Sequence, residues 1–277
     1  PAYIFPESAV RALAALNRYR EFLARPEGVV NSYPVNREAA ERIISAAARD
    51  GRAKLSEPEA LALLDAYGVP TAPWALARTE GEAVAAAQRI GYPVVLKVVS
   101  RKVIHKSDIG GVIVGVQDEQ SLREAHSRLR QRVQERVGEA PEGVLVQKMI
   151  AGGRETIVGS TRDPKTGPLL MFGLGGLFVE VLKDVVFRVH PVTDVDAREM
   201  VRGIRGVKLL EGVRGDTSVD FVGLEEVIQR ISQLVGDFPQ IVEMDVNPLT
   251  AFPDRVVAVD ARFMIGDSEV GTRDREA

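Results

Sequence analysis

Gly91-Tyr92-Pro93-Val94-Val95-Leu96-Lys97-Val98-Val99 sets the frame for the whole chain. The run from Val94 to Val99 is β-branched and aliphatic, long enough for a strand and short for a helix, and it follows a glycine and a proline. Such a run reads as a buried strand. Its one charge, Lys97, is costly to bury without something anionic to meet it. Two readings of Lys97 stand on pattern alone: an edge-strand lysine whose amine reaches solvent, or a strand lysine that binds phosphate in a nucleotide cleft.

Working outward, helices and strands alternate on both sides of this run. Ser56-Glu57-Pro58-Glu59 is a capping box that opens a helix ending at Tyr67, with Gly68 as its left-handed stop. Thr79 to Glu82 repeats the device, and Gly91 closes that helix. Strands are expected at 72–77, 94–99, 112–114 and 144–148, with a helix at 122–137. Past Gly152-Gly153 a second unit begins. Its strands are expected at 155–159, 169–172, 185–189, 241–246 and 256–261, and its helices at 194–204 and 224–235. Upstream, two helices are expected, one from Pro6 to Leu23 closed by Pro26 and Gly28, the other ending at Asp50-Gly51. Two helices make a poor core, so this section should pack on something else. The tail from Gly266 is polar and expected to be mobile.

Composition narrows the function. The 277 residues are 45% hydrophobic and 27% charged, ordinary for a globular protein of about two domains. A net charge of -3 gives no basic footprint for nucleic acid. The absence of cysteine excludes disulfides, thiolate metal sites and cysteine nucleophiles, and fits a reducing cytoplasm. No apolar run is long enough to span a bilayer, so no membrane role is expected. There is no G-x-x-x-x-G-K-[ST] phosphate loop. Gly173-Leu174-Gly175-Gly176-Leu177-Phe178 carries Phe178 where a dinucleotide fingerprint needs glycine.

Two further stretches carry chemistry. In His105-Lys106-Ser107-Asp108-Ile109-Gly110-Gly111 a histidine sits in a polar loop beside a cation. A neutral imidazole is a nucleophile near pH 7 and can accept a phosphoryl group, which Lys106 and glycine N–H groups would balance. The alternative is an unremarkable surface histidine. His126 and His190, on a helix surface and at a strand end, read as structural. In Glu243-Met244-Asp245-Val246-Asn247-Pro248, alternation puts Asp245 and Asn247 on one face. Asp260 comes alongside if the segment is a hairpin. Oxygen ligands of this kind suit Mg²⁺ shared with phosphates, and a capped strand end with a solvated aspartate would look the same.

Taken in order, these motifs resemble a known family. From about 56 to 265 the chain resembles the ATP-grasp part of NDP-forming acyl-CoA synthetases, the group of succinyl-CoA synthetase, and most of all the ADP-forming acetate–CoA ligase type. Matching stretches are Gly91 to Lys97, His105-Lys106-Ser107-Asp108 with Gly110-Gly111-Val112, Gly153-Arg154-Glu155, Arg162-Asp163-Pro164, Phe172 to Gly176, and Asp245-Val246-Asn247-Pro248-Leu249. The resemblance implies an α/β (α+β) ATP-grasp fold of two lobes, 52–148 and 149–265. A helical segment, 1–51, resembles the end of a CoA-ligase domain, and a tail follows at 266–277.

It also implies roles. Lys97 would contact phosphates, the backbone near Gln147, Lys148, Met149 and Ile150 would receive adenine, and Glu155 would lie near the ribose. Gly175 and Gly176 would approach the phosphates, Asn247 and Asp260 would hold Mg²⁺ with Asp245 nearby, and His105 would be the phosphorylated histidine. ATP or ADP and Mg²⁺ are the implied cofactors. A CoA-binding, CoA-ligase subunit or domain is the implied partner, in a hetero- or homo-oligomer. The chain then reads as a subunit, or a piece of a fused enzyme, in the reversible conversion of acyl-CoA, ADP and phosphate to acid, ATP and CoA. The alternatives are a regulatory ATP-grasp module of a protein lysine acetyltransferase and a carboxylate–amine ligase.

Overall fold

The computed structural model describes residues 2–100, 109–176, 184–212 and 215–266. Two antiparallel sheets organise them. The smaller is built from β1 (Trp74–Ala77), β2 (Val94–Val99), β3 (Val112–Val116) and β4 (Gly143–Lys148), in the order β1-β4-β2-β3. The larger is built from β5 (Arg154–Asp163), β6 (Gly167–Leu174), β7 (Val185–Val189), β8 (Ile241–Ala251), β9 (Val256–Ala258) and β10 (Ala261–Ile265), in the order β10-β8-β5-β6-β7 with β9 on β8.

The quoted run is β2, a central strand between β3 and β4. It is buried on both faces although its neighbours run antiparallel. Val94 and Leu96 pack under α4 (Glu80–Ile90) and α5 (Glu119–Val137) with Ala83, Ala87, Leu122 and Leu129. On the other face Val99 and Leu145 meet Leu61 of α3 (Glu57–Ala66). Alternation turns Lys97 to this second face.

The helix starts follow their caps. The Glu59 carboxylate takes the Ser56 N–H at 2.8 Å and the Ser56 hydroxyl at 2.7 Å, and receives the Arg52 fork at 2.7 and 2.8 Å. Burial alone would raise the Glu59 carboxyl. The bonds from Arg52 and Ser56 outweigh it and hold the group below the usual carboxylate range. Gly68 follows α3 at φ 68°, the left-handed stop expected there. A depressed carboxyl stabilises above its unfolded pKa and loses that contribution as pH falls through its folded value. Glu59→Gln should therefore cost about 1–2 kcal/mol at neutral pH, and urea titrations at pH 7 and near pH 3 should show the gap closing in acid.

The N-terminal segment does not behave as one unit. α2 (Arg37–Arg49) sends Ala40, Ile44 and Ala47 into the core of the larger sheet. Leu63, Leu64 and Tyr67 of α3 join them there, so α3 serves both sheets. The same core takes α6 (Asp194–Arg202), α7 (Val207–Glu211) and α8 (Phe221–Asp237) through Met200, Leu210, Ile228 and Ile231. α1 (Pro6–Leu23) buries nothing.

Several elements differ from expectation: the strands expected over 155–159 and 169–172 run over 154–163 and 167–174. The helix expected over 194–204 ends at Arg202, and a five-residue turn of helix follows at 207–211. The strand expected over 241–246 runs on to Ala251. The strand expected over 256–261 is two strands, β9 and β10, joined through Val259 and Asp260. Most of the tail, 267–277, lies outside the described residues.

Candidate functional site

Where the small sheet meets the large one, two side chains of the small sheet converge on one main-chain carbonyl between β9 and β10. The Lys97 ammonium lies 2.5 Å from Glu57 Oε1 and 3.3 Å from the Val259 carbonyl oxygen. Gln147 on β4 donates its amide N–H to the same Val259 carbonyl at 3.0 Å. Lys97, Glu57 and Gln147 are all buried, at 8%, 8% and 1% exposure. Lys97 is thus an interior lysine with an anionic partner, which removes the edge-strand reading.

The metal candidates continue from the same peptide. Asp260 follows Val259, and its carbonyl accepts the Asn247 N–H at 3.0 Å. The hairpin that would bring Asp260 beside Asn247 is present, with β9 and β10 both antiparallel to β8. Asn247 is exposed and Asp260 partly so. Asp245 stands differently. Burial raises its carboxyl and Glu243 adds to this, against Arg262 and Lys54. Arg262 is its cross-strand partner. Among the described residues no three His, Cys, Asp or Glu side chains gather as a metal site. The donors at hand are one amide and one carboxylate oxygen, a set suited to a hard cation that takes its remaining ligands from phosphate and water.

On the other side of β8, Glu155 lies on β5 opposite Thr250. Its carbonyl accepts the Gly175 N–H at 2.7 Å. A Cβ on Gly175 would lie 2.9 Å from the Glu155 carbonyl carbon, and one on Gly176, at φ 61°, would lie 2.9 Å from the Glu155 carboxylate. Glycine is therefore required at both positions for the turn to lie against Glu155. In the backbone segment 147–150, Gln147 is paired within the sheet with Trp74 and Val95, Lys148 donates to Pro73 at 2.7 Å and Met149 to Pro93 at 3.1 Å. The Lys148 ammonium closes the same corner on the Gly91 and Tyr92 carbonyls at 2.9 and 3.0 Å. Ile150 follows at the end of β4. His105 lies outside the described residues.

Sequence reading missed Glu57 and Val259. Glu57 looks like an ordinary first-turn acid that complements the helix dipole. Its proline neighbour and capping serine give no sign that it points inward, 40 positions from its lysine.

Comparison with known proteins bears on this arrangement. Residues 46–265 match the family model described as an ATP-grasp domain. Acetate–CoA ligase [ADP-forming] I of Archaeoglobus fulgidus is 44% identical over 270 residues, covering 96% of this chain and 39% of that protein. The beta subunit of acetate–CoA ligase [ADP-forming] I of Pyrococcus furiosus is 44% identical over 227 residues, covering 82% of this chain and 97% of the subunit. The chain thus spans about two-fifths of the single-chain relative and nearly all of the separate subunit. Solved structures of the dinucleotide-forming acetyl-coenzyme A synthetase 1 of Ca. Korarchaeum cryptofilum are also similar. One, with coenzyme A and Ca-AMPCP, has a TM-score of 0.79 at 41% identity, covering 82% of this chain and all of that one. Another, with coenzyme A and Mg-AMPPCP, has its phosphohistidine segment pointing towards the nucleotide binding site (TM-score 0.74, 37% identity, the same coverage).

Proposed function

We propose, since the chain belongs to the ATP-grasp domain family and to its branch of ADP-forming acetate–CoA ligase beta subunits, that it is the nucleotide-binding, phosphohistidine-relaying part of an ADP-forming acid–CoA ligase. The observation that carries this reading is the convergence on Val259 and Asp260. A buried lysine from one sheet and an Asn–Asp pair from the other stand within one peptide of each other. That is the layout a nucleoside diphosphate with a divalent cation requires. The regulatory-module alternative finds no support in the relatives described above.

In this reading a CoA-ligase part, separate or in the same polypeptide, turns acyl-CoA and phosphate into an acyl phosphate and CoA. The carboxyl O–P bond of the acyl phosphate then breaks, releasing the acid, and the phosphoryl group passes through that part to a His105 ring nitrogen. At the cleft a terminal oxygen of ADP forms the new O–P bond as the N–P bond to His105 breaks, leaving ATP and the free imidazole. Lys97 faces the phosphates and opposes the charge spread over the transferring group. Its ammonium is held on its line by Glu57 and by the Val259 carbonyl. Asn247 and Asp260 would hold Mg²⁺, which when bound draws the phosphate oxygens together and offsets their charge. Gly175 and Gly176 would let the chain approach phosphate closely, and Glu155 would meet a ribose hydroxyl. Adenine would lie along 147–150, read by groups that the Pro73 and Pro93 carbonyls leave available. The pairing of Arg262 across from Asp245 makes that aspartate a supporting charge beside the metal pair.

Calorimetric titration with ADP tests this. Binding should be saturable in Mg²⁺ and weaken in EDTA, and Asp260→Asn should lose about 10- to 100-fold in Mg²⁺, the scale of one charge-assisted contact. The same variant should bind as the parent does in EDTA. Equal binding by parent and variant in Mg²⁺ would take Asp260 out of the site, and no binding at all would end the reading.

A further inference from the structure

Among the described residues, α1 is the helix to which the fold gives no cover. It is 18 residues long and none of its side chains is buried. Ala9, Ala12, Leu13, Leu16, Tyr19 and Leu23 recur at helical spacing along one side, which Arg20 also enters, and Glu7, Arg11, Arg18 and Glu21 lie opposite together with the exposed Val10 and Phe22. Leu13, Leu16 and Leu23 are each about two-thirds exposed. A helix of this length in water is marginal by its own propensity, and most helical stability comes from packing an apolar face. A contiguous exposed face of this sort marks an interaction surface.

The segment that joins α1 to the body is bolted down. Arg25 pairs with Asp196 at 2.6 Å and Glu199 at 2.9 Å, both on α6. Val29 donates to the Asp194 carboxylate at 2.7 Å and accepts from the Asp194 N–H at 3.0 Å. Asn31 meets Gln229, Tyr33 exchanges two bonds with Gln233, and Arg230 stacks on the Tyr33 ring at 4.3 Å, all from α8. Gly28 lies so flat on α6 that a Cβ there would be 2.2 Å from the Thr193 hydroxyl oxygen. The base of α1 is therefore fixed while its face is bare.

The comparisons supply the occupant. A match over 96% of the chain has to run through residues 24–36 and into α1, and that is the single-chain Archaeoglobus ligase. The separate Pyrococcus subunit matches 82%, and the family model begins only at residue 46. The arm is thus matched in a relative much longer than this chain, whereas the two separate Pyrococcus subunits match 82% and 81% of the chain over 97% of their own length; two other long relatives match only 77% and 76% of it. We infer that α1 is a docking arm, whose Leu13–Leu16–Leu23 face packs on the CoA-ligase part and whose anchored base holds that part against α6 and α8. This rests on the partner assigned under the proposed function.

The probe is the stretch of the Archaeoglobus ligase that this chain does not match, expressed separately and first shown to bind coenzyme A. Sedimentation of the full chain with the probe should show a complex, and Leu13→Glu with Leu16→Glu should weaken it at least 100-fold. Because α1 buries nothing in the body, that double variant should keep its melting temperature and its ADP affinity. A complex that survives the double variant, no complex with the parent chain, or self-association of the chain that the double variant abolishes would each overturn the inference, the last by making a second copy the occupant. Retained ADP binding in those cases would leave the proposed function standing; its loss in the parent chain would sink that reading instead.

Discussion

His105→Ala is expected to abolish phosphorylation of this chain. With acyl-CoA, inorganic phosphate and the CoA-ligase part supplied, the parent chain should take up an acid-labile phosphoryl group, and the variant none. Formation of ATP should fall by about four orders of magnitude or more, the scale of removing a covalent nucleophile. ADP affinity should stay as it was, since the imidazole acts on the phosphoryl group and not on the base. The chain has three histidines, and the other two are poor carriers. His126 is 3% exposed, out of reach of a phosphoryl donor; burial, then the charge of Arg130, lowers its ring and keeps it neutral, which does not open it. His190 is partly buried with Nδ1 3.1 Å from the Ser232 hydroxyl, and burial with Arg162 lowers it likewise. Label that persists in the His105→Ala chain, at either of these rings or elsewhere, would end the relay.

The second large effect separates folding from binding at Lys97. Both members of the Lys97–Glu57 pair have side chains at or below one-tenth exposure. Lys97→Met takes away the ammonium that the Glu57 carboxylate faces, and breaking a buried pair in this way costs about 3–5 kcal/mol. Replacing both, Lys97→Met with Glu57→Gln, removes the charge mismatch and should recover most of that loss. Nucleotide binding should not recover. The double variant should melt near the parent temperature and still bind ADP at least 100-fold more weakly, because the phosphate charge has lost its counter-ion. If the double variant regains ADP affinity along with stability, Lys97 is a structural lysine and the phosphates lie elsewhere.

Much of the fold is legible in local chemistry. The capping serine and glutamate at 56–59, the left-handed glycines at 68 and 91 and the β-branched run at 94–99 each act over a few residues, so their consequences can be read from a few residues. What escaped reading was non-local. β8 continues past Pro248, a residue with no N–H to give, because the Val259 N–H donates to the Pro248 carbonyl and Leu249 pairs with Ala258. The register of β5 against β8 shifts between Thr156 and Val158, absorbing the irregularity. β9 and β10 read as one strand because Val256 to Ala261 is an apolar run broken only by Asp260; at the break the Val259 carbonyl accepts from Lys97 and Gln147 of the other sheet. Of the candidate site, Lys97, Gln147, Asn247 and Asp260 are drawn to one place, as are Glu155, Gly175 and Gly176. Asp245 faces Arg262, a pairing set by strand register. The helix of α1, and its need to pack on something else, could be read in the sequence; that none of its residues is buried among the described residues is a fact of the folded chain.

The oxygen at which the two sheets meet belongs to the main chain. No substitution at position 259 deletes it, so the joint is indifferent to which amino acid stands there and answers only to the path of the backbone. Mutational drift can erase a side-chain latch in one step. This one it can loosen only by bending the hairpin, and the hairpin also carries Asp260. The grip between the two sheets and the seat proposed for the cation are thereby tied to a single piece of geometry, and neither can wander while the other keeps its place.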